Sequence, residues 1–162
     1  MHTYFLNNYF NTRANEKKTN NLDNNEYNLL NPKYFHQDEI KKKLNLSLYR
    51  THKDPWNTNY ESVDYFILAL YSKYILTEMI EKTNINYDYI LFVRPDCLYL
   101  DKLDIDFFNL INNNTILIPN FHLCGKYQIN DRFAITNNYT YKIYGKMFTE
   151  LLELSKKNQL HS

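Results

Sequence analysis

A helical period of apolar residues runs through the middle of the chain. The apolar side chains recur at spacings of three and four, which places them along one helix face; they are Val63, Phe66, Ile67, Leu70, Tyr71 and Tyr74. The pattern predicts a helix from about Glu61 to Lys82 that covers one face of a sheet. Within it, Ser72 and Lys73 are expected to form a solvent-facing polar turn, the alternative being that they face a ligand.

Three short apolar runs predict strands, at residues 88–93, 115–118 and 132–135. Positions 89–93 show no polar alternation, which is typical of a strand covered on both faces. Pro95 cannot donate to a ladder, so the first strand must end before it. The change from a helical period to short apolar runs predicts an α/β domain with a small mixed or parallel sheet flanked by helices.

The remaining segments are shorter or more polar. Residues 1–31 are rich in asparagine and predict a loosely ordered start, so we divide the chain into a peripheral segment, 1–50, and an α/β domain, 51–162. Short helices are expected over 37–48 and around 105–111. A last helix, from about Tyr139 to Lys157, is expected to carry one apolar side, formed by Ile143, Met147, Leu151 and Leu154.

Composition and charge reduce the number of possible function classes. The chain has 162 residues, of which 44% are hydrophobic and 17% aromatic, enough for the core of one domain. A net charge of +1 without a basic stripe argues against a nucleic-acid partner. We expect no signal peptide and no membrane span, hence a cytoplasmic location by default, and leave the oligomeric state open.

The cysteines do not predict a disulfide framework. Cys97 and Cys124 are best interpreted as small buried hydrophobic residues. With His122 they would supply three zinc ligands, but no paired cysteine spacing or fourth ligand supports such a site. A zinc centre is therefore the less favoured interpretation.

Charged residues follow the first predicted strand directly. Arg94 offers a planar cation suited to phosphate, and Asp96 offers the hard oxygen ligands that Mg²⁺ and Mn²⁺ prefer. In open α/β sheets, ligands bind beyond the carboxyl ends of strands. The pair predicts a phosphate-bearing ligand held through a metal, and its alternative is a mutual ion pair that only closes the strand end.

Residues 87–148 resemble glycosyltransferases with the GT-A, nucleotide-sugar-binding fold. Residues 87–96, Tyr-Asp-Tyr-Ile-Leu-Phe-Val-Arg-Pro-Asp, are similar to the strand that ends in an Arg-x-Asp element in such proteins. Residues 116–121 are like the strand and turn beneath the sugar site. Residues 130–135 resemble the block that closes the site, and 143–145 resemble the helix after it.

The resemblance implies a partial GT-A-like, Rossmann-like sandwich that transfers a sugar from a nucleotide-diphosphate donor to a glycan or protein acceptor. It assigns Asp96 to a divalent cation, Mn²⁺ or Mg²⁺, and assigns Arg94, Asn130 and Arg132 to the donor. Asp131 becomes the candidate catalytic base, which requires it to return to the same cleft as Asp96. Its alternative role is a salt bridge or turn cap with Arg132.

Two departures from the family pattern keep other functions open. Arg94 stands where the family commonly has a first acidic residue, and no strand-turn-helix that would grip the nucleotide is recognisable before Trp56. A truncated, non-catalytic relative that binds sugar or protein is therefore an alternative. A glycosidase could use Asp96 and Asp131 as its two carboxylates. A metal-dependent nuclease is excluded, since no acid stands two places before a lysine after Asp96.

Overall fold

The computed structural model describes residues 43–94, 100–120 and 132–157. These ranges mix helices with a small sheet, as an α/β chain requires. The longer elements are helix α1 (Glu61–Lys82), strands β1 (Tyr89–Val93) and β2 (Phe133–Asn137), and helices α2 (Thr140–Gly145) and α3 (Phe148–Lys157). Two 3-10 turns, Leu46–Tyr49 and Ile105–Leu110, complete the described elements.

Helix α1 confirms the helix predicted over 61–82. Val63, Ile67 and Leu70 are buried along one face, as their spacing requires. Acidic residues occupy its first turn and Lys82 its last, an arrangement that complements the helix dipole. The apolar stripe and the charged ends therefore favour the same helix.

The buried face of α1 contacts two separate groups of side chains. Its first half belongs to what we call the helix cluster, whose buried members are Val63, Ile67, Leu70 and Leu151. Its last turns belong to the sheet cluster, whose buried members are Ile80, Tyr87, Ile90, Phe92, Ala134, Tyr141 and Tyr144. One helix thus joins an all-helical packing layer to a sheet.

The two strands pair antiparallel, with Tyr89 opposite Asn137 and Val93 opposite Phe133. The described residues therefore show antiparallel pairing where a mixed or parallel sheet was expected. Parallel strands need a long crossover, usually a helix. The described part of the connection between β1 and β2, residues 100–120, contains one 3-10 turn and no α-helix.

The strand predicted over 115–118 is reduced to a single bridge. Leu117 exchanges both backbone hydrogen bonds with Ile135, at N–O distances of 3.0 and 2.9 Å. Ile116 and Ile118 are only partly buried and pack on the sheet cluster. Strand β2 is therefore flanked by β1 on one side and by this bridge on the other.

The two faces of β1 are covered unequally. Ile90 and Phe92 are buried in the sheet cluster, whereas Tyr89, Leu91 and Val93 are half-buried on the opposite face. On that second face the Tyr89 ring lies 4.7 Å from the ring of Phe108. The expectation of full coverage on both faces is thus met on one face only.

The single helix predicted over 139–157 is divided into α2 and α3 by a turn at residues 146–147. Gly145 ends α2 against α1, where a Cβ atom would come within 1.8 Å of the Thr77 hydroxyl oxygen. The predicted apolar side is wrong. Leu151 is buried, but Ile143 and Leu154 are 68% and 45% exposed, so these residues do not share one covered face.

Residues before α1 pack on α3, far away in sequence. The Tyr49 ring lies 6.2 Å from the ring of Phe148, and the Thr51 hydroxyl donates to the backbone carbonyl of Ser155. Of the helix predicted over 37–48, the first residues lie outside the described ranges, and the chain forms a 3-10 turn from Leu46. The expected loose order of residues 1–31 also falls outside the described ranges.

Candidate functional site

The candidate site lies where β1 ends and β2 begins. Arg94 follows Val93 directly, and its backbone N–H donates to the carbonyl oxygen of Arg132 at 3.0 Å. This hydrogen bond extends the pairing of β1 and β2 by one more residue pair. The two arginines therefore lie opposite each other at the ends of neighbouring strands. The antiparallel pairing therefore brings the backbones of two predicted donor-binding residues next to each other.

The arginines share the face that carries the sheet cluster. Side chains alternate along a strand, so Arg94 follows Phe92, and Arg132 precedes Ala134, on the same side. Arg94 is only 7% exposed. A guanidinium so buried requires anionic or hydrogen-bonding partners, and like charges at opposing positions repel. Neither arginine lacks interaction partners. Anionic groups, from the chain or from a ligand, stabilise such an arrangement.

Three of the predicted site residues lie outside the described ranges, namely Asp96, Asn130 and Asp131. The same holds for Cys97, His122 and Cys124, so the zinc alternative stays a hypothesis. In sequence, Asp96 stands two positions after Arg94, and Asp131 stands one position before Arg132. The strand ends nearest to these two residues in sequence, the end of β1 and the start of β2, are adjacent.

Metal binding by Asp96 is a prediction from the sequence. Residues 43–94, 100–120 and 132–157 contain no group of three or more histidine, cysteine or acidic side chains that could hold an ion. The described residues at the strand end contribute guanidinium groups, which do not ligate cations. The predicted metal ligand, Asp96, lies outside these ranges.

Lys73 and Tyr144 extend the polar groups on this face. The Lys73 ammonium donates to the Tyr144 hydroxyl at 3.0 Å. The Tyr144 ring in turn contacts the Phe92 ring, with 5.0 Å between centroids. Ser72, the neighbour of Lys73, is buried and donates to the Leu68 carbonyl at 2.9 Å. The expected solvent-facing turn at residues 72–73 is therefore wrong.

The helical period could not identify this pair. Lys73 lies outside the apolar stripe of α1, and Tyr144 belongs in the sequence only to the short segment 143–145 that resembles a helix of the family. The one available signal was the large number of tyrosines, 16 in the chain, which gives no means of choosing among them. The contact depends on the approach of α2 to α1, where Gly145 faces Thr77.

A second polar centre, around Asp54, is structural. Its carboxylate accepts backbone hydrogen bonds from Trp56 at 3.1 Å, from Tyr60 at 3.0 Å, and from Thr58. Burial alone would raise the pKa of this carboxyl, but the donors of Tyr60, Trp56 and Thr58 together lower it. Asp54 thus fixes the loop before α1, and its hydrogen bonds point within that loop.

Asn137 is a further residue that the sequence did not single out. Its side-chain oxygen accepts the backbone N–H groups of Tyr139 and Thr140, each at 2.9 Å, and its amide donates to the Asn112 carbonyl at 2.8 Å. It stabilises the start of α2 and ties β2 to residue 112. In so asparagine-rich a chain, this residue carried no distinctive signal.

No protein-family model, curated protein or solved structure that was compared with the chain matches it. Among the described helices, none is both long enough and apolar enough to cross a membrane. The similarity to GT-A glycosyltransferases consequently rests on the quoted sequence blocks alone. Of their site residues, the described ranges contain Arg94 and Arg132.

Proposed function

We propose that this protein is a glycosyltransferase that transfers a sugar from a nucleotide-diphosphate donor to a glycan or protein acceptor. The observation that carries the proposal is the pairing of Arg94 with Arg132 at the end of the sheet. Two guanidinium groups from opposing strands suit the diphosphate of such a donor, because each forms charge-assisted hydrogen bonds with phosphate oxygens.

Sugar transfer requires two kinds of assistance, one at the leaving phosphate and one at the acceptor hydroxyl. When the bond from the sugar to the nucleoside diphosphate breaks, negative charge develops on the leaving phosphate. Arg94 and Arg132 would stabilise that charge, and a divalent ion held by Asp96 would supply further neutralisation. In a reaction with inversion, Asp131 would accept the proton of the acceptor hydroxyl as that oxygen attacks the sugar carbon.

The antiparallel register supports a shared cleft for the two carboxylates. In this register the end of β1 and the start of β2 lie at the same edge of the sheet. In the sequence, Asp96 stands two positions after Arg94, and Asp131 stands one position before Arg132. A parallel pair of the same two strands would have placed these two positions at opposite ends.

Calorimetric titration with Mn²⁺ and a panel of nucleotide-diphosphate sugars tests the proposal. Wild type should bind at least one donor, and Asp96→Asn should bind it at least about tenfold more weakly, which is a loss of about 1.4 kcal/mol. Asp101→Asn is the matched control, since Asp101 is an exposed aspartate in the same connection. Equal donor affinity of wild type and Asp96→Asn would remove Asp96 from the site.

Asp131→Asn tests the catalytic assignment separately. A base acts in the transition state, so turnover should fall by a factor of about a hundred or more while donor affinity changes little. A large fall in melting temperature would instead identify Asp131 as a structural partner of Arg132. A folded wild type that binds no donor in the panel would contradict the proposal and favour a non-catalytic relative.

A further inference from the structure

Lys73 is the cation of α1 that reaches toward the sheet cluster. It is half-buried, its ammonium lies 3.0 Å from the Tyr144 hydroxyl, and the same nitrogen lies 4.5 Å from the centroid of the Tyr144 ring. Tyr144 itself is only 4% exposed. The ring and its hydroxyl therefore hold the lysine head group in a defined place beside the core.

The contacts between α1 and α2 show which end of the sheet Lys73 approaches. Lys142, early in α2, pairs with Glu81 at 3.2 Å, near the end of α1. Gly145 and Tyr144 then meet Thr77 and Lys73, so the two helices run antiparallel. Lys73 thus lies at the end of this helix pair where Tyr144 contacts Phe92.

Phe92 connects this position to the arginine pair. The Tyr144 and Phe92 rings are 5.0 Å apart, and Arg94 is the next residue after Phe92 on the same strand face. Successive residues on one face of a strand are separated by about 7 Å. The contact between the Tyr144 and Phe92 rings therefore connects the ammonium of Lys73 to the strand end where Arg94 and Arg132 pair.

The acidic side chains in the contact between α1 and α2 lie C-terminal to Lys73 on α1. Lys146, which follows Gly145, contacts Glu81 at 2.7 Å and Glu78 at 3.1 Å. Toward Phe92 lie the ammonium of Lys73, which donates to the Tyr144 hydroxyl, and the two arginines, and all of these residues have further interaction partners. Cations that approach from a helix and from two strands favour a ligand with negative charge on two adjacent groups.

We propose that Lys73, oriented by the Tyr144 hydroxyl, binds the diphosphate of the ligand together with Arg94 and Arg132. This inference rests on the proposed function for the identity of the donor, but its chemistry requires only a diphosphate. Lys73 is a binding residue in this scheme, and Tyr144 is a positioning residue that acts through it.

Calorimetry with inorganic pyrophosphate tests the inference without any sugar or turnover. Lys73→Met should weaken pyrophosphate binding about tenfold or more and reduce the salt dependence of the affinity, because one cation is lost. Lys73→Arg should retain most of the affinity. Tyr144→Phe keeps the ring on Phe92 but removes the hydroxyl, and should give a smaller loss than Lys73→Met.

Lys82→Met is the matched control, since Lys82 is an exposed lysine in the last turn of the same helix. It should bind pyrophosphate like wild type. Melting curves with and without pyrophosphate separate folding from binding: a folded Lys73→Met that has lost the ligand-induced rise in melting temperature supports the inference. Unchanged affinity in folded Lys73→Met, or no pyrophosphate binding by wild type, overturns it.

The outcomes also separate this inference from the proposed function. Pyrophosphate binding that depends on Lys73, in a protein that binds no nucleotide sugar, would support the diphosphate site and contradict the glycosyltransferase. A donor that is bound and turned over equally well by wild type and Lys73→Met would support the glycosyltransferase and remove Lys73 from its site.

Discussion

The two halves of α1 are held by different interactions. Its first half packs in the helix cluster, where the Phe148 ring lies 5.0 Å from the Tyr71 ring. Its second half meets α2 and the sheet, with Gly145 in close contact and lysine–glutamate pairs at the rim. The first half is fixed mainly by apolar and aromatic volume, with an ion pair between Arg50 and Asp64 at its start, and the second by close backbone approach and charge.

This difference separates stability from function. Both clusters consist of apolar and aromatic side chains, so the difference lies in the charged residues beside the sheet. The half that contacts the sheet carries Lys73 and adjoins Arg94, which are costly to bury and useful for binding anions. We expect substitutions in the first half to change mainly the free energy of unfolding, and substitutions near Lys73 to change binding.

Ile67→Ala should have the largest effect on stability. Ile67 is fully buried in the helix cluster, so its truncation leaves a cavity that costs about 2–5 kcal/mol of unfolding free energy. Urea denaturation measures the loss. Leu154→Ala, at a site that is 45% exposed on α3, is the control and should change stability by less than about 1 kcal/mol. Equal losses in the two variants would contradict the packing described for the helix cluster.

Gly145→Ala tests the close approach in the second half. The new Cβ would overlap the Thr77 side chain, so we expect a loss of about 1–3 kcal/mol. Thr77→Ala removes the hydroxyl oxygen, which would lie 1.8 Å from the new Cβ, and keeps only the Thr77 Cβ at 2.9 Å. The double variant should therefore lose less than the sum of the two single losses. Strict additivity in this double-mutant cycle would show that the two residues do not meet.

Asp54→Asn should remove part of the stability that wild type loses in acid. The folded pKa of Asp54 is lowered, so its contribution is present above the unfolded value of about 3.9 and is lost as the pH falls through the folded pKa. Unfolding curves at successive pH values should converge for the two proteins at low pH. Parallel curves over the whole range would contradict the lowered pKa.

Glu81, in the second half of α1, has a pKa that is lowered by a different cause from that of Asp54. Burial raises the pKa of its carboxyl, but hydrogen bonds and charge from Lys146 and Lys142 lower it overall. Because its partners are charged and partly exposed, added salt should bring this pKa closer to its ordinary value, whereas that of Asp54 should change less. NMR titration at low and high salt measures both. Equal salt sensitivity would remove the distinction.

Glu81→Gln should have the smallest effect. Partly exposed ion pairs contribute little, so we expect a loss of at most about 1 kcal/mol, despite the two lysine partners of Glu81. Chemical denaturation at low salt gives the value, and the difference from wild type should shrink in high salt. A loss comparable to that of Ile67→Ala would mean that charge, and not packing, fixes this half of α1.

The periodic elements could be predicted from the sequence because local pattern determines them. The apolar stripe of α1 is long enough to give both its bounds correctly, and the apolar run before Arg94 gives β1 to within a residue. Pairing direction is a property of two distant segments, and no local signal distinguishes antiparallel from parallel partners for so short a run. The break after Gly145 likewise depends on Thr77, a residue of another helix.

For the candidate site, sequence reasoning found the charged strand end but not the helix that approaches it. Arg94 is conspicuous because an unbroken apolar run ends at it. Lys73 is not conspicuous, since a lysine beside an apolar stripe usually faces solvent, and only the contact with Tyr144 distinguishes it. Asp96, Asn130 and Asp131 remain predictions.

The hydrogen bond between Thr51 and Ser155 has a kinetic consequence. It joins positions 104 residues apart, and the packing of Tyr49 on Phe148 spans a similar stretch of chain. Contacts of such high contact order carry a large loop-closure cost, which is recovered only after the intervening elements are in place. We expect the strand pair and the long helix to assemble before the segment around Tyr49 docks, and that segment to be the first to open when the domain unfolds.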